Sequence, residues 1–113
     1  MKILRFDERD AEEIRNRPFV VEGVSGLHLG EGAGDAHAYV MHFRRGGLVG
    51  PHEAGFAQLF VALDGSGWVA GEDGERRAIS QGQAAFISRG EVHSKGSDSG
   101  LTALMVQVRD FSV

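Results

Sequence analysis

The chain of 113 residues contains no cysteine, which excludes disulfide bridges and thiolate metal ligands. It has no apolar run approaching the roughly 20 residues that a membrane-spanning helix needs. It also has no surplus of basic residues, and its net charge of −4 and pI near 5.7 argue against a nucleic-acid-binding surface. The N-terminal segment Met1–Asp7 becomes acidic too early for a secretory signal, so we expect a cytoplasmic protein without membrane or nucleic-acid partners.

Glycine is abundant, with 17 residues, about twice the average usage of roughly 7%. Glycine favours turns over helices, and here it separates short apolar segments, which predicts an all-β antiparallel sandwich or barrel. The pairs Asp64-Gly65 and Asp73-Gly74 predict hairpin turns. The candidate strands are Phe19–Val21, Val24–Leu29, Ala36–Phe43, Gln58–Leu63, Gly67–Ala70, Arg77–Ile79, Ala84–Ile87 and Leu101–Val108.

The first 18 residues differ in character from the rest of the chain. Asp7–Arg17 is highly charged and contains one large apolar residue, Ile14, so it predicts at most one or two helical turns. Pro18 ends any helix there. We therefore predict an N-terminal arm over residues 1–18 and a single β domain over residues 19–113.

Two predicted strands are apolar on both faces, at Leu59–Leu63 and Leu101–Val106. A half-exposed antiparallel strand alternates apolar with polar residues, so burial on both sides is indicated. A homodimer would cover the second face. The alternative is a central strand that is covered on both sides within one chain.

Two histidines are placed in similar surroundings about forty residues apart. His52 follows a glycine-rich segment and precedes the strand that begins at Gln58, and His93 follows the strand Ala84–Ile87 and the turn at Gly90. In a closed sheet these segments lie side by side, and both imidazoles are expected to point into one interior.

The spacing of these histidines and of the turn glycines resembles the two sequence motifs of the cupin superfamily. The matching positions, first motif and then second, are Gly46, His52, Gly65, Gly82, Gly90 and His93. The resemblance extends over Ala36–Val108 and includes similarity to small single-domain bacterial cupins of unassigned function. It implies a double-stranded β-helix, the cupin jelly-roll barrel.

The resemblance also implies a metal site, from which this sequence departs. A typical cupin binds Fe, Mn, Ni, Zn or another divalent ion through three histidines and one glutamate. Here the positions that match leave His52, Gln58 and His93 as candidate ligands, since Ala54 stands at the second histidine position and Gln58 at the glutamate position. An uncharged amide is a poorer ligand than a carboxylate, so a weakly held divalent metal and the absence of any metal both remain open.

Other candidate side chains for this site are His28, His37, His42 and Glu53. His42 could face inward from the strand before the first motif, and His37 lies on the opposite face of that strand. Glu53 is adjacent to His52, and neighbouring residues on a strand point to opposite faces. The sequence does not decide which of them contributes.

Two functions follow from this reasoning. The first is a divalent-metal-dependent enzyme that acts on a small oxygenated molecule inside the barrel, with no catalytic residue identified beyond the metal ligands. The second is a non-catalytic barrel that binds or senses a small molecule without metal. Either one implies a small-molecule ligand.

Overall fold

The computed structural model describes all 113 residues, and nearly all of its regular structure is β-strand. One 3-10 turn, Glu8–Asp10, interrupts the N-terminal segment, and no helix is long and apolar enough to span a membrane. The strands are β1 Lys2–Arg5, β2 Glu12–Glu13, β3 Ser25–Gly26, β4 Glu31–Phe43, β5 Gly47–Glu53, β6 Ala57–Ala70, β7 Arg76–Ser80, β8 Gln83–Ile87, β9 Val92–Ser97 and β10 Leu101–Ser112.

Two antiparallel layers share the long strand β6. The first layer has the order β1-β8-β6-β10-β4, and the second is formed by β7, the C-terminal half of β6, β9 and β5. β2 and β3 form a separate two-stranded ribbon near the N-terminus. This arrangement is a double-stranded β-helix, so the all-β jelly roll expected from the sequence is confirmed.

The passage of β6 from one layer to the other corrects one prediction. The pair Asp64-Gly65 does not form a hairpin, because Ala57–Ala70 is one continuous strand. Gly65 has a φ of +84°, and a side chain there would collide with the backbone carbonyl of Gly100. Glycine therefore permits a bend and a close approach of two strands rather than a chain reversal. The second pair, Asp73-Gly74, does form the predicted turn, between β6 and β7.

Several other strand predictions also change. Phe19–Val21 is not a strand, and Val24–Leu29 contains only the two-residue β3. β5 and β9 are absent from the predicted strands although they carry both motif histidines. The N-terminal arm begins as a strand, because Lys2–Arg5 pairs along β8 at the edge of the first layer.

The apolar core has two parts, one on each side of the first layer. Between the layers, a cluster that includes Phe43, Phe60 and Val69 fills one end of the barrel. On the outer side, Leu59 and Val61 are buried. The side chains that cover them come from β1 and the residue after it, from the segment before β4, and from β8 and β10: Leu4, Phe6, Leu29, Phe86, Leu104 and Phe111. The chain itself therefore covers part of the outer face of β6.

One side of the barrel is open. β4 pairs only with β10, and β5 pairs only with β9, so no backbone hydrogen bonds join the two layers between β4 and β5. The inner face of β4 presents His37 and Tyr39 there, because these residues lie opposite Gln107 and Met105 of β10. Both β4 side chains are exposed, and they border the way into the interior.

Candidate functional site

The two motif histidines meet across a strand pair. His52 of β5 and His93 of β9 are direct cross-strand partners, and their ring centroids are 4.5 Å apart. The register of β5 is irregular between Val49 and His52, where Gly50 and Pro51 lie. His52 is exposed and Nδ1 lies 2.8 Å from the backbone oxygen of Gly50, so the ring donates from Nδ1 to that carbonyl.

His93 lies beneath His52 and is fully buried. Neither of its ring nitrogens has a hydrogen-bond partner in the protein. Buried polar groups in folded proteins are almost always paired, so an unpartnered buried imidazole indicates a place where another molecule supplies the partner.

A buried lysine completes the cluster. Lys95 follows His93 by two residues on β9, so both side chains project from the same face of the strand. Its Nζ donates a hydrogen bond to Oε1 of Gln58 at 2.6 Å, lies 3.4 Å from Sδ of Met105, and lies 4.6 Å from the centre of the Phe60 ring. Lys95 belongs to none of the ion pairs of the structure. A lysine buried without a carboxylate is uncommon.

Burial changes the protonation of both groups. Desolvation lowers the pKa of Lys95 from its ordinary value of 10.5 to about 8. Desolvation also lowers the pKa of His93 from 6.5 to about 4, assisted by the positive charges of Lys95 and His52 and opposed by Glu91. Near neutral pH, His93 is therefore an uncharged imidazole, and Lys95 is mainly an ammonium.

Of the three candidate metal ligands, two lie next to each other and the third is hydrogen-bonded to another residue. His52 and His93 are adjacent, whereas the side-chain oxygen of Gln58, which is also buried, accepts the hydrogen bond from Lys95. No group of three or more histidine, cysteine, aspartate or glutamate side chains is arranged to hold a metal ion. The role of His52, Gln58 and His93 as metal ligands stays a prediction.

The remaining histidines lie outside this cluster, and their orientations correct one expectation. His42, which was expected to be able to face inward, lies on the outer face, where Nδ1 is 3.3 Å from the hydroxyl of Thr102. His37 lies on the inner face and stacks on Phe56 with a centroid distance of 5.8 Å. His28 and Glu53 are both exposed.

Lys95 is the site residue that the sequence did not indicate. Lys95 lies outside every strand that was predicted from the sequence. The β9 segment Val92–Ser97 has one large apolar residue, so its hydrophobic pattern does not predict a buried strand. One pattern in the sequence could have indicated Lys95. His93, Lys95 and Ser97 are polar residues at alternate positions, so they share one face of β9.

The cluster lies apart from the main concave regions of the surface. Five concave regions of the surface have volumes of about 270 to 720 Å³. None of them is lined by His52, Gln58, His93 or Lys95.

Solved structures of similar fold come from several bacteria. A conserved protein of unknown function from Streptococcus pyogenes is 21% identical, with a TM-score of 0.62 over 68% of this chain and 67% of that one. A cupin-like protein from Thermotoga maritima is 18% identical, with a TM-score of 0.62 over 66% of this chain and 57% of that one. A predicted oxalate decarboxylase from T. maritima is 27% identical, with a TM-score of 0.58 over 64% of each chain.

These likenesses establish the fold, and the chain spans only about 57% to 67% of the length of these structures. No curated protein matches the sequence. The sequence profile described as the AraC-like ligand binding domain matches residues 38–113, about two thirds of the chain, including β5, β6, β9 and the whole cluster. The chain therefore belongs to the AraC-like ligand binding domain family, within the cupin superfamily.

Proposed function

We propose that this protein binds a small oxygenated molecule between its two layers, beside His52, His93 and Lys95, and that it does so without a metal ion. The observation that carries the proposal is the buried Lys95 ammonium, whose contacts are the amide oxygen of Gln58, a thioether and an aromatic ring. The matching family is described as ligand-binding, which agrees with a binding role.

The cluster contains a charge and hydrogen-bonding groups without partners in the protein, and an oxygenated ligand would supply those partners. A buried ammonium is stabilised by a negative or strongly polarised oxygen, and no carboxylate of the protein supplies one. His93 offers a ring N–H and a ring lone pair that have no partner in the protein. A carboxylate or a carbonyl oxygen held between Lys95 and His93 would satisfy both groups in one step.

A divalent metal fits the same residues poorly. Two imidazoles remain as donors, because the oxygen of Gln58 accepts from Lys95. The protonated Lys95 also places a positive charge within this cluster, which opposes the entry of a second cation. We therefore assign no chemical step to a metal and no catalytic residue, and metal-dependent catalysis remains the alternative function.

Metal content and ligand binding test the two functions side by side. Elemental analysis of protein purified without a metal-affinity tag is compared with a His52→Ala, His93→Ala double variant. Thermal unfolding is then followed with acetate, oxalate and pyruvate as probes. We expect no stoichiometric metal, and a stabilisation by at least one probe that approaches about 2.7 kcal/mol at 100 times its Kd.

The matched variants are Lys95→Met and Lys2→Met, which remove the chain's two lysines one at a time. Stabilisation by the probe should be lost in Lys95→Met and kept in Lys2→Met. Near-stoichiometric metal in the parent protein that disappears in the double-histidine variant would instead support the metal-dependent function.

We also propose that the protein forms a homodimer. Large apolar side chains remain exposed on the outer face of the first layer, at Val40 and Leu63, and on the segment that precedes β4, at Phe19 and Val20. A second copy of the chain is the occupant that the sequence pattern predicts. Light scattering coupled to gel filtration should give twice the 12.2 kDa chain mass, and Val40→Glu should shift it toward the monomer. A monomeric parent protein would contradict this.

A further inference from the structure

We propose that the tip of an N-terminal ribbon, residues 18–21, inserts into a groove at the end of the first layer of a second copy of this chain, and that two copies exchange their tips reciprocally. The inference rests on the homodimer proposed above. It goes further than that proposal, because it names the segment that is exchanged and the surface that receives it.

The N-terminal ribbon, which comprises residues 12–28, has no apolar core of its own. Its strands β2 and β3 have two residues each and pair only with each other. No residue between positions 7 and 28 belongs to either apolar cluster of the barrel. A two-stranded ribbon is at best marginally stable alone in water, so this ribbon requires a surface to pack against.

The tip of the ribbon is apolar and its backbone is unpaired. Phe19 and Val20 are 64% and 84% exposed, and Pro18 precedes them. No backbone–backbone hydrogen bond of the chain involves residues 18–23. Large exposed apolar side chains beside free backbone groups are typical of a segment that docks on a partner, and pairing with a free strand edge is one recurring way to do so.

The groove arises because β6 begins later than its neighbouring strands end. β6 begins at Ala57, opposite Val108 of β10, whereas β10 continues to Ser112. The edge of residues 109–112 that faces away from β4 therefore has no strand partner, and Ser88, which follows β8, lies across the gap. Neighbouring strands are about 4.8 Å apart, so a gap left by one strand is about 10 Å wide. A free strand edge of this kind is a template for another strand.

The groove has an apolar lining and enough room for a short peptide segment. Phe86 of β8 and Phe111 of β10 both line it and meet edge to face, with ring centroids 6.0 Å apart. Its volume is about 550 Å³, within the usual range for a binding pocket. No residue of the ribbon lines it, so the chain does not fill its own groove. Phe19 of a second copy would add a third ring to this aromatic pair.

The charges beside the tip and beside the groove are complementary. Arg17 precedes the tip and Glu22 follows it, and neither belongs to an ion pair of the chain. Of the charged residues that line the groove, Glu31 also has no ion-pair partner, and Arg89 is 4.0 Å from the carboxylate of Asp110. A tip seated in the groove therefore brings one cation and one anion to groove residues of opposite charge, which favours a second copy over an unrelated peptide.

The base of the ribbon lies beside the groove of its own chain. Leu29 packs in the outer apolar cluster, and a side chain at Gly30 would collide with the ring of Phe111 and the backbone oxygen of Ser112. Val20 precedes Leu29 by nine residues. An extended segment of this length reaches up to about 30 Å. A two-fold axis beside the two ribbon bases therefore allows each tip to lie over the groove of the other copy, which closes the assembly at two chains.

Disulfide trapping tests the exchange directly, because the chain has no cysteine of its own. Val20→Cys is mixed with Ser88→Cys, which places the second thiol in the groove, and the mixture is oxidised with oxidised glutathione. We expect a disulfide-linked product of twice the 12.2 kDa chain mass that contains one chain of each variant. The control mixture pairs Val20→Cys with Leu48→Cys, at an exposed position on β5. It should give little mixed product, because cysteines whose Cα atoms are more than about 7 Å apart do not bridge.

Phe19→Asp tests the apolar anchor without altering the barrel. The side chain is exposed in the single chain, so the variant should fold with the circular dichroism spectrum of the parent protein. In the dimer the ring is buried twice, once in each groove, so we expect the dissociation constant measured by sedimentation equilibrium to rise at least about 100-fold. Leu48→Asp is the matched control, since Leu48 is 62% exposed, and it should leave the dissociation constant unchanged.

The outcomes separate the exchange from the homodimer itself. A dimer that persists in Phe19→Asp and gives no mixed disulfide, yet dissociates in Val40→Glu, would overturn the exchange and leave a homodimer built on the outer face of the first layer. A disulfide within single chains of a Val20→Cys, Ser88→Cys double variant, without mixed product from the two single variants, would show that the tip occupies the groove of its own chain and would also overturn the exchange. A monomeric parent protein would overturn both proposals.

Discussion

The stability of the protein should rise as the pH rises from about 8 to about 10.5, and Lys95 is the reason. The unfolded chain holds the Lys95 proton up to about pH 10.5, whereas the folded chain releases it near pH 8. Between these values the unfolded state binds more protons, so the free energy of unfolding increases with pH. The fall in pKa corresponds to roughly 3 kcal/mol.

The same reasoning predicts what happens when the charge is removed. Below pH 8 the folded protein carries the full cost of burying the ammonium, so Lys95→Met relieves roughly 3 kcal/mol but leaves the oxygen of Gln58 without a donor, at a cost of about 1 to 3 kcal/mol. The single variant should therefore be close to the parent protein in stability at pH 7. The double variant Lys95→Met, Gln58→Leu replaces both polar groups and should be more stable by about 2 to 3 kcal/mol.

Urea unfolding at pH 7.5, 9 and 10.5 measures these differences. Subtracting the Lys95→Met curve from that of the parent protein removes the contribution of every other titratable group, and Lys2→Met serves as the matched control. The difference should grow by roughly 3 kcal/mol across this range. A difference that stays constant with pH would show that Lys95 is solvated, and the description of the cluster would then be wrong.

Three other outcomes follow from the contacts. The free energy of unfolding should fall by up to roughly 3 kcal/mol as the pH drops from 6.5 toward 4, because His93 takes up a proton in the unfolded state but not in the folded state. His93→Gln should remove this pH dependence. Gly96→Ala should destabilise by about 1 to 3 kcal/mol, because its Cβ would lie 2.6 Å from Cζ2 of Trp68, whereas Gly55→Ala has open space and should change little. Ile79→Ala, at a fully buried position, should cost about 2 to 5 kcal/mol by urea unfolding, and a smaller loss would indicate a looser core.

The fold was predictable because its turns are determined by residues that are close together in the sequence, chiefly glycines. Gly82 and Gly90 have positive φ values, as does Gly46, and their fixed distances from the two histidines carried the resemblance to cupins. The error at Asp64-Gly65 has a physical cause. An Asp-Gly pair suits a hairpin and suits a bend within a strand equally well, and the contact of Gly65 with Gly100 that decides between them is thirty-five residues away.

The candidate site was predictable only in part. His52 and His93 were expected in one interior, and they are cross-strand partners. Gln58 was also expected there. Its hydrogen-bond donor Lys95 was not expected, because β9 has too few apolar residues for a buried strand to be recognised. The inward orientation of His37 rather than His42 depends on the pairing register of β4 with β10, and a shift of one residue reverses every side chain.

Gln58, which stands at the glutamate position of the cupin metal motif, and Lys95, two residues after His93, are parts of one chemical feature. A glutamate at position 58 would form a buried ion pair with Lys95, raise the pKa of the amine and hold it as a cation. The uncharged amide of Gln58 accepts a hydrogen bond without compensating the charge, so desolvation alone sets the protonation of Lys95. The amide at position 58 therefore leaves the charge of the buried ammonium uncompensated within the protein, whereas a metal site gains nothing from exchanging a carboxylate for it.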